Sequence, residues 1–220
     1  MSQILKLLSL LFLITMVMGT QCHKDVEDFV SDKQSFKENV SIFPAQKIYN
    51  VNDTIWLRFT TTDKTLYDTV SKQRLPASSI KFHFGATLLP KFETPVNPTD
   101  GFCDFVLPSG VVESYVTNQS GTAASFEAGC DNVPGYNIEF GVVLKYQGVY
   151  VLNLPDGMRT ETCNNQTSQY APSLLRFVYN VADCNKDIYL SIPASSRKEF
   201  PEGFTEAQID YKVAYALKVQ

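Results

Sequence analysis

From Ile42 onward, apolar residues recur at every second position in one segment after another. That period admits little besides β-strands with one buried face. Ile55, Leu57 and Phe59 alternate with Trp56, Arg58 and Thr60. Ile80, Phe82 and Phe84 alternate with Lys81 and His83, and Ile138, Phe140, Val142 and Leu144 with Glu139, Gly141, Val143 and Lys145. Leu175, Phe177, Tyr179 and Val181 repeat the pattern, followed by Ile188, Leu190 and Ile192, and finally by Val213, Tyr215, Leu217 and Val219. Tyr146-Gln147-Gly148 lies between two such runs and predicts a hairpin. Only Thr205 to Asp210 reads as helical, a short turn capped by Thr205. The expected architecture is all-β: a single antiparallel β-sandwich spanning residues 41–220. Two small β domains or a barrel are the alternatives. With 12% aromatic residues, 11 Gly and 11 Pro, the composition suits many strands and turns. A charged fraction of only 19% excludes a disordered chain.

The N-terminus constrains location rather than fold. Lys6 precedes a 12-residue apolar run, Leu7 to Met18. That run is too short to cross about 30 Å of hydrocarbon as a helix and fits the core of an export signal over residues 1–21. The roughly 200 residues that remain bury about 70% of the unfolded chain's surface on folding, enough for one large domain or two small ones. Residues 22–40 are polar and mixed in charge, and read as a flexible tether.

Export implies an oxidising compartment. Apart from Cys22, four cysteines remain: Cys103, Cys130, Cys163 and Cys184. Three connectivities are open. The local pairs Cys103–Cys130 and Cys163–Cys184 are favoured, each worth about 3 kcal/mol in the loop-entropy model. Buried free thiols are the alternative.

The sequence around Cys22 supports a resemblance. Gly19-Thr20-Gln21-Cys22 after an apolar run is similar to a bacterial lipoprotein signal, cut before a cysteine that then carries acyl chains. Gln21 departs from the usual small residue. His23-Lys24-Asp25-Val26-Glu27-Asp28 resembles the start of Bacteroidetes lipoproteins, whose early acidic residues direct some of them to the cell surface. Tyr49-Asn50-Val51-Asn52-Asp53-Thr54-Ile55-Trp56-Leu57 looks like the opening strand of bacterial Ig-like domains. The chain as a whole resembles Bacteroidetes lipoproteins with an Ig-like β-sandwich. Leu66-Tyr67-Asp68, the run Gly148 to Leu154, Phe177 to Asn185, and Ala214 to Val219 carry that likeness. The resemblance implies lipidation at Cys22 and an outer-membrane, surface-exposed location. No activity is attached to the group, so no catalytic residue is carried over.

A search for chemistry returns little. The chain has no GxSxG, HExxH, P-loop or dinucleotide fingerprint. Ser78 to Lys81 and Ser195 to Lys198 match SxxK, but neither lies on an expected helix. Asp183-Cys184-Asn185-Lys186-Asp187 opens like a calcium loop, yet Ile188 and Ala194 stand where Gly and Glu are required. His83 projects to the polar side of its strand. Asp104, Glu113, Glu139 and Asp187 lie near strands, and nothing pairs two of them as glycosidase carboxylates. Asp53-Thr54-Ile55 and Asp68-Thr69-Val70 resemble short acceptors for O-linked sugars.

No catalytic residue, metal site or cofactor is therefore expected. A net charge of −4 argues against a nucleic-acid partner. The one informative residue is Trp56, on the phase opposite Ile55, Leu57 and Phe59. Either a second layer covers it or it is offered to a ligand, since exposed Trp and Tyr anchor sugars and proteins. Tyr115, Tyr136 and Tyr170 share that ambiguity. The expected function is a lipid-anchored envelope binding or accessory module for a glycan, a peptide or an outer-membrane partner. The alternatives are a structural envelope subunit acting through protein contacts and a carboxylate-based hydrolase.

Overall fold

The computed structural model describes residues 34–91, 101–107, 114–118, 121–154, 158–163, 167, 173–197, 200 and 204–220. Residues 1–33, which include the expected export signal, Cys22 and most of the expected tether, lie outside them. Fifteen strands and three short helices occur among the described residues. In chain order they are β1 (Ser35–Phe43), β2 (Ile48–Tyr49), β3 (Thr54–Thr60), β4 (Thr65–Asp68), β5 (Gln73–Pro76), β6 (Ile80–Lys91), β7 (Cys103–Val106) and β8 (Ser114–Asn118). There follow β9 (Gly121–Ala128), β10 (Asn137–Leu144), β11 (Gly148–Asn153), β12 (Met158–Arg159), β13 (Glu161–Thr162) and β14 (Leu174–Tyr179). The helices α1 (Lys186–Ser191), α2 (Ala194–Arg197) and α3 (Glu206–Asp210) precede β15 (Ala214–Val219).

The strands form two sheets, and the fold is an all-β sandwich. One sheet has the order β12-β14-β1-β3-β10-β7, with the β4–β5 hairpin joined to β1. The other runs β2-β15-β11-β6-β9-β8, with β13 joined to β6. Pairing is antiparallel except at β1–β14 and β2–β15. At eight and seven strands the sheets exceed the about seven to nine strands of a whole Ig domain.

The inward phase of each strand builds one aromatic core. Phe59, Phe140 and Phe177 from the first sheet meet Phe82 and Phe84 from the second, all at most 1% exposed. The Phe84 and Phe177 rings lie 4.7 Å apart in an edge-to-face arrangement, and Phe59 and Phe177 lie 5.2 Å apart. Each such ring contributes roughly 1.5–3 kcal/mol by burial, and edge-to-face geometry adds to that.

Four expectations need correction. The first described strand begins at Ser35, so residues 35–40 are strand rather than tether. Phe36, Glu38 and Val40 all point inward there, and the carboxylate in the middle disguises the apolar alternation. Second, Tyr146-Gln147-Gly148 does not close a hairpin. It carries the chain from β10 in one sheet to β11 in the other. Third, Ile188, Leu190 and Ile192 are not a strand: α1 covers Lys186–Ser191, with Tyr189 and Ile192 buried and Leu190 exposed. The burial period there is three, as a helix requires.

The fourth correction concerns the cysteines. Cys130 pairs with Cys163, at a Cα separation of 5.5 Å, while Cys103 and Cys184 are buried thiols outside the disulfide. The reason is topological. β9 and β13 flank the same end of β6, so the residues just beyond them, Cys130 and Cys163, meet across that end. At a sequence separation of 33, the bridge is worth about 3–4 kcal/mol in the loop-entropy model. The expected cap does form: Gln208 Oε1 accepts the Thr205 backbone N–H at 2.6 Å at the start of α3.

Candidate functional site

β3 turns Ile55, Leu57 and Phe59 into the core and leaves Trp56 on the outer face of the first sheet. Directly opposite Trp56 on β10 stands Gly141. A Cβ built on Gly141 would lie 3.2 Å from Cε3 and Cζ3 of the indole and 2.8 Å from Thr54 Cγ2. The ring therefore lies down on the bare backbone of Gly141, a position that any larger residue would occupy. On the other side of Trp56, β1 places Phe43, 70% exposed; beyond Gly141, β7 places Val106, 42% exposed. Phe43, Trp56, Gly141 and Val106 thus form one row across four strands, about 14 Å at the usual strand spacing.

The next row along the strands is polar. Ser41, Arg58 and Glu139 stand side by side on β1, β3 and β10. Arg58 Nε donates to Glu139 Oε2 at 2.6 Å. This hydrogen bond and the carboxylate's charge raise the Arg58 pKa further. A cleft of about 400 Å³ opens between the two rows, lined by Trp56, Val106, Leu107, Asn137 and Glu139. It falls within the size range of small-molecule sites. Its chemistry is an aromatic face beside neutralised charges, which suits holding a ligand.

A second cleft, about 440 Å³, lies at the end of the sheet among Thr61, Asp131, Val133, Pro134 and Tyr136, and shares Asn137 with the first. Its wall is pinned from below. Lys64, 8% exposed, donates to the Gly129 carbonyl at 3.0 Å and to the carbonyl and carboxylate of Asp131. Its ammonium also sits 5.8 Å from the centre of the Tyr136 ring.

Of the aromatic residues singled out in the sequence whose side chains are described, Trp56 alone is at a cleft and partly open; of the carboxylates, Glu139 lines the same cleft. Tyr136 is 3% exposed, stacks on Phe59 and donates its hydroxyl to the Ala77 carbonyl at 3.1 Å. Burial drives its phenol pKa up, so it is a pillar and not a ligand-facing ring. The side chain of Tyr115 and all of Tyr170 and Glu113 lie outside the described residues. The remaining carboxylates are dispersed into separate ion pairs: Asp104 with Lys145 at 3.2 Å, Asp187 with Lys47 at 2.7 Å. Lys81 is held by both Glu127 and Glu161. His83 stands opposite Glu127 on β9.

Asn185 fastens its loop instead of forming a calcium site. Its side-chain amide donates to the carbonyls of Gln46 and Ala216, at 3.1 and 2.9 Å. Among the described residues no three metal-ligating side chains come together. Burial raises the thiols of Cys103 and Cys184, the latter to about 11, so neither is a nucleophile at neutral pH.

Gly141 was missed in the sequence, though a signal existed. A lone glycine inside a strand marks a close approach by another group, and this one falls on the same outward phase as Trp56. Comparison of the chain with protein-family models, with curated proteins and with solved structures finds no match to any of them.

Proposed function

We propose that the protein is a lipid-anchored binding or accessory module of a bacterial cell envelope. It is tethered through Cys22, displayed at the outer membrane, and presents the outer face of its first sheet to a ligand. It acts by binding and not by catalysis. The observation that carries this reading is the Trp56 ring laid on Gly141 beside an open cleft. A lone exposed apolar residue is ordinary, but Trp56 stands in one row with exposed Phe43 and Val106, and a contiguous exposed apolar surface marks an interaction site. The likeness to Bacteroidetes lipoproteins supports the anchor, the location and the Ig-like character of the sandwich.

Two measurements test the reading. Labelling with a radioactive fatty acid marks the wild type and not Cys22→Ala; an unlabelled wild type removes the anchor. The protein purified in mild detergent binds its own cell-envelope fraction, and Trp56→Ala loses that binding. Equal binding by Trp56→Ala removes the site.

A second reading, a structural subunit held by protein contacts, is favoured by the exposure of Phe43 and Val106 at the two ends of the row. It predicts a membrane protein that co-purifies in fixed proportion.

A further inference from the structure

We infer that the Trp56 cleft binds a neutral carbohydrate, with the indole taking the C–H face of a pyranose ring and the Arg58–Glu139 pair and Asn137 taking its hydroxyls. The inference rests on the preceding reading, that this face is where the ligand sits, and names the ligand's class.

Three features of the site select that class. The first is the mixture of surfaces. One wall is an aromatic face continued by Val106 and Leu107; the other is Asn137 and Glu139. A ligand that fills it must be apolar on one face and polar at its rim, as a sugar ring is. An aliphatic ligand would leave the polar wall unpaired, which costs free energy on burial.

The second feature is how the polar wall is used. Arg58 engages Glu139 through Nε, and Glu139 answers through Oε2. Arg58 is not itself part of the lining and borders the cleft through Glu139; its terminal guanidinium nitrogens and Glu139 Oε1 enter no other hydrogen bond or ion pair among the described residues. They offer donors and an acceptor side by side. A hydroxyl both donates and accepts, so adjacent hydroxyls on one ring match that pattern, and Asn137 supplies an amide with the same double capacity.

The third feature is charge. The pair's two charges cancel, so the cleft has no net attraction for a carboxylate, phosphate or ammonium. That favours a neutral sugar over an acidic polymer or a basic peptide. Size is compatible with that class: a cleft of about 400 Å³ lies in the range of small-ligand sites.

The test uses a property of the sequence. Trp56 is the chain's one tryptophan, so intrinsic fluorescence reports this site alone. Full-length protein in mild detergent is titrated with maltohexaose, cellohexaose, xylohexaose and mannohexaose. Hexagalacturonate and a tryptic peptide mixture serve as the charged and peptide comparators.

The expected result is a saturable change in emission with at least one neutral hexasaccharide, together with protection of the indole from acrylamide. Affinity stays nearly constant as salt is raised, because no net charge is matched. Gly141→Ala lifts the ring from its seat and weakens binding about tenfold or more, and Trp56→Phe, which keeps an aromatic face, retains binding measured by calorimetry better than Trp56→Ala. Melting curves confirm that each variant is folded.

The inference is overturned if no neutral sugar changes the emission, or if binding is unaltered in Gly141→Ala, or if only hexagalacturonate or peptides bind. If sugars fail while the envelope fraction still binds in a Trp56-dependent way, the ligand class is wrong and the site stands. If envelope binding ignores Trp56, both fall together.

Discussion

The two sheets share a core, but their outer faces are finished in opposite ways. On the outward phase of β15 and β11, Ala214, Ala216 and Val151 are each 0% exposed, Val149 and Asn153 are half-buried, and Lys218 at the far end is exposed. The chain between β14 and β15 lies over them: α1 and α3 pack on β15, and α1 also packs on β11. Tyr189, Phe200 and Phe204 form the aromatic contacts of this cover, with ring centres 5.2–6.1 Å apart. On β3 and β10 the outward residues include Thr54, Trp56, Arg58, Glu139 and Gly141, and among the described residues no helix packs closely there. One face is closed by the protein's own chain. The other carries an aromatic ring and an ion pair toward solvent. The small-residue face is already covered by the chain itself, whereas the tryptophan is only half covered.

The sharpest way to break this contrast is to place a charge on the closed face. Ala216→Asp buries a carboxylate under the helical layer with no partner designed for it. The expected loss is about 3–5 kcal/mol, the size of an uncompensated buried charge, read as a large fall in the denaturation midpoint. An Asp variant as stable as wild type would mean that the helices do not seal that face.

A second change on the same sheet should act in the other direction. Asn153 faces outward on β11, and its Oδ1 is buried with no hydrogen-bond partner. An unsatisfied buried acceptor costs about 1–3 kcal/mol. Asn153→Leu, close in shape, removes it and is expected to raise stability by about 1 kcal/mol in chemical denaturation. A loss of stability would show that Oδ1 has a partner in solution.

Part of this contrast was legible in the sequence. The one-faced alternation expected for Val213 to Val219 overlooks Ala214 and Ala216, which are buried too; Ala214-Tyr215-Ala216-Leu217 is apolar on both phases, the pattern of a strand covered on both faces. Thr54 to Thr60 is apolar on one phase only, apart from Trp56. What was not legible came from long-range geometry. Tyr146-Gln147-Gly148 signals a reversal but does not say which sheet receives the next strand. Ile188, Leu190 and Ile192 alternate as a strand would, yet in so short an apolar run periodicity cannot separate strand from helix. Glu38 hid β1, because a carboxylate on an inward phase reads as solvent-facing. In the fold it accepts the Tyr67 backbone N–H at 2.7 Å and Arg74 Nη2 at 2.9 Å. Burial still outweighs both and raises its pKa. The cysteine pairing failed for the same reason as the hairpin: proximity along the chain is a poor guide once strands from distant segments flank one another.

The smallest expected effect on stability belongs to the open face, and it is the most discriminating. Glu139→Gln removes the charge opposite Arg58, where the two side chains are 30% and 56% exposed. Exposed ion pairs are screened by water and salt and add little to stability. The melting temperature should therefore stay at the wild-type value, and added salt should not separate the two proteins. Function should not be so tolerant. The substitution unbalances the charge of the cleft, leaving Arg58 without its counter-ion beside Trp56. Binding of hexagalacturonate should then appear or strengthen, and that new binding should weaken as salt is raised. A pair that mattered to stability would show a clear fall in melting temperature with no change in ligand preference. The open face would then be a second structural surface, and the contrast with the closed face would disappear.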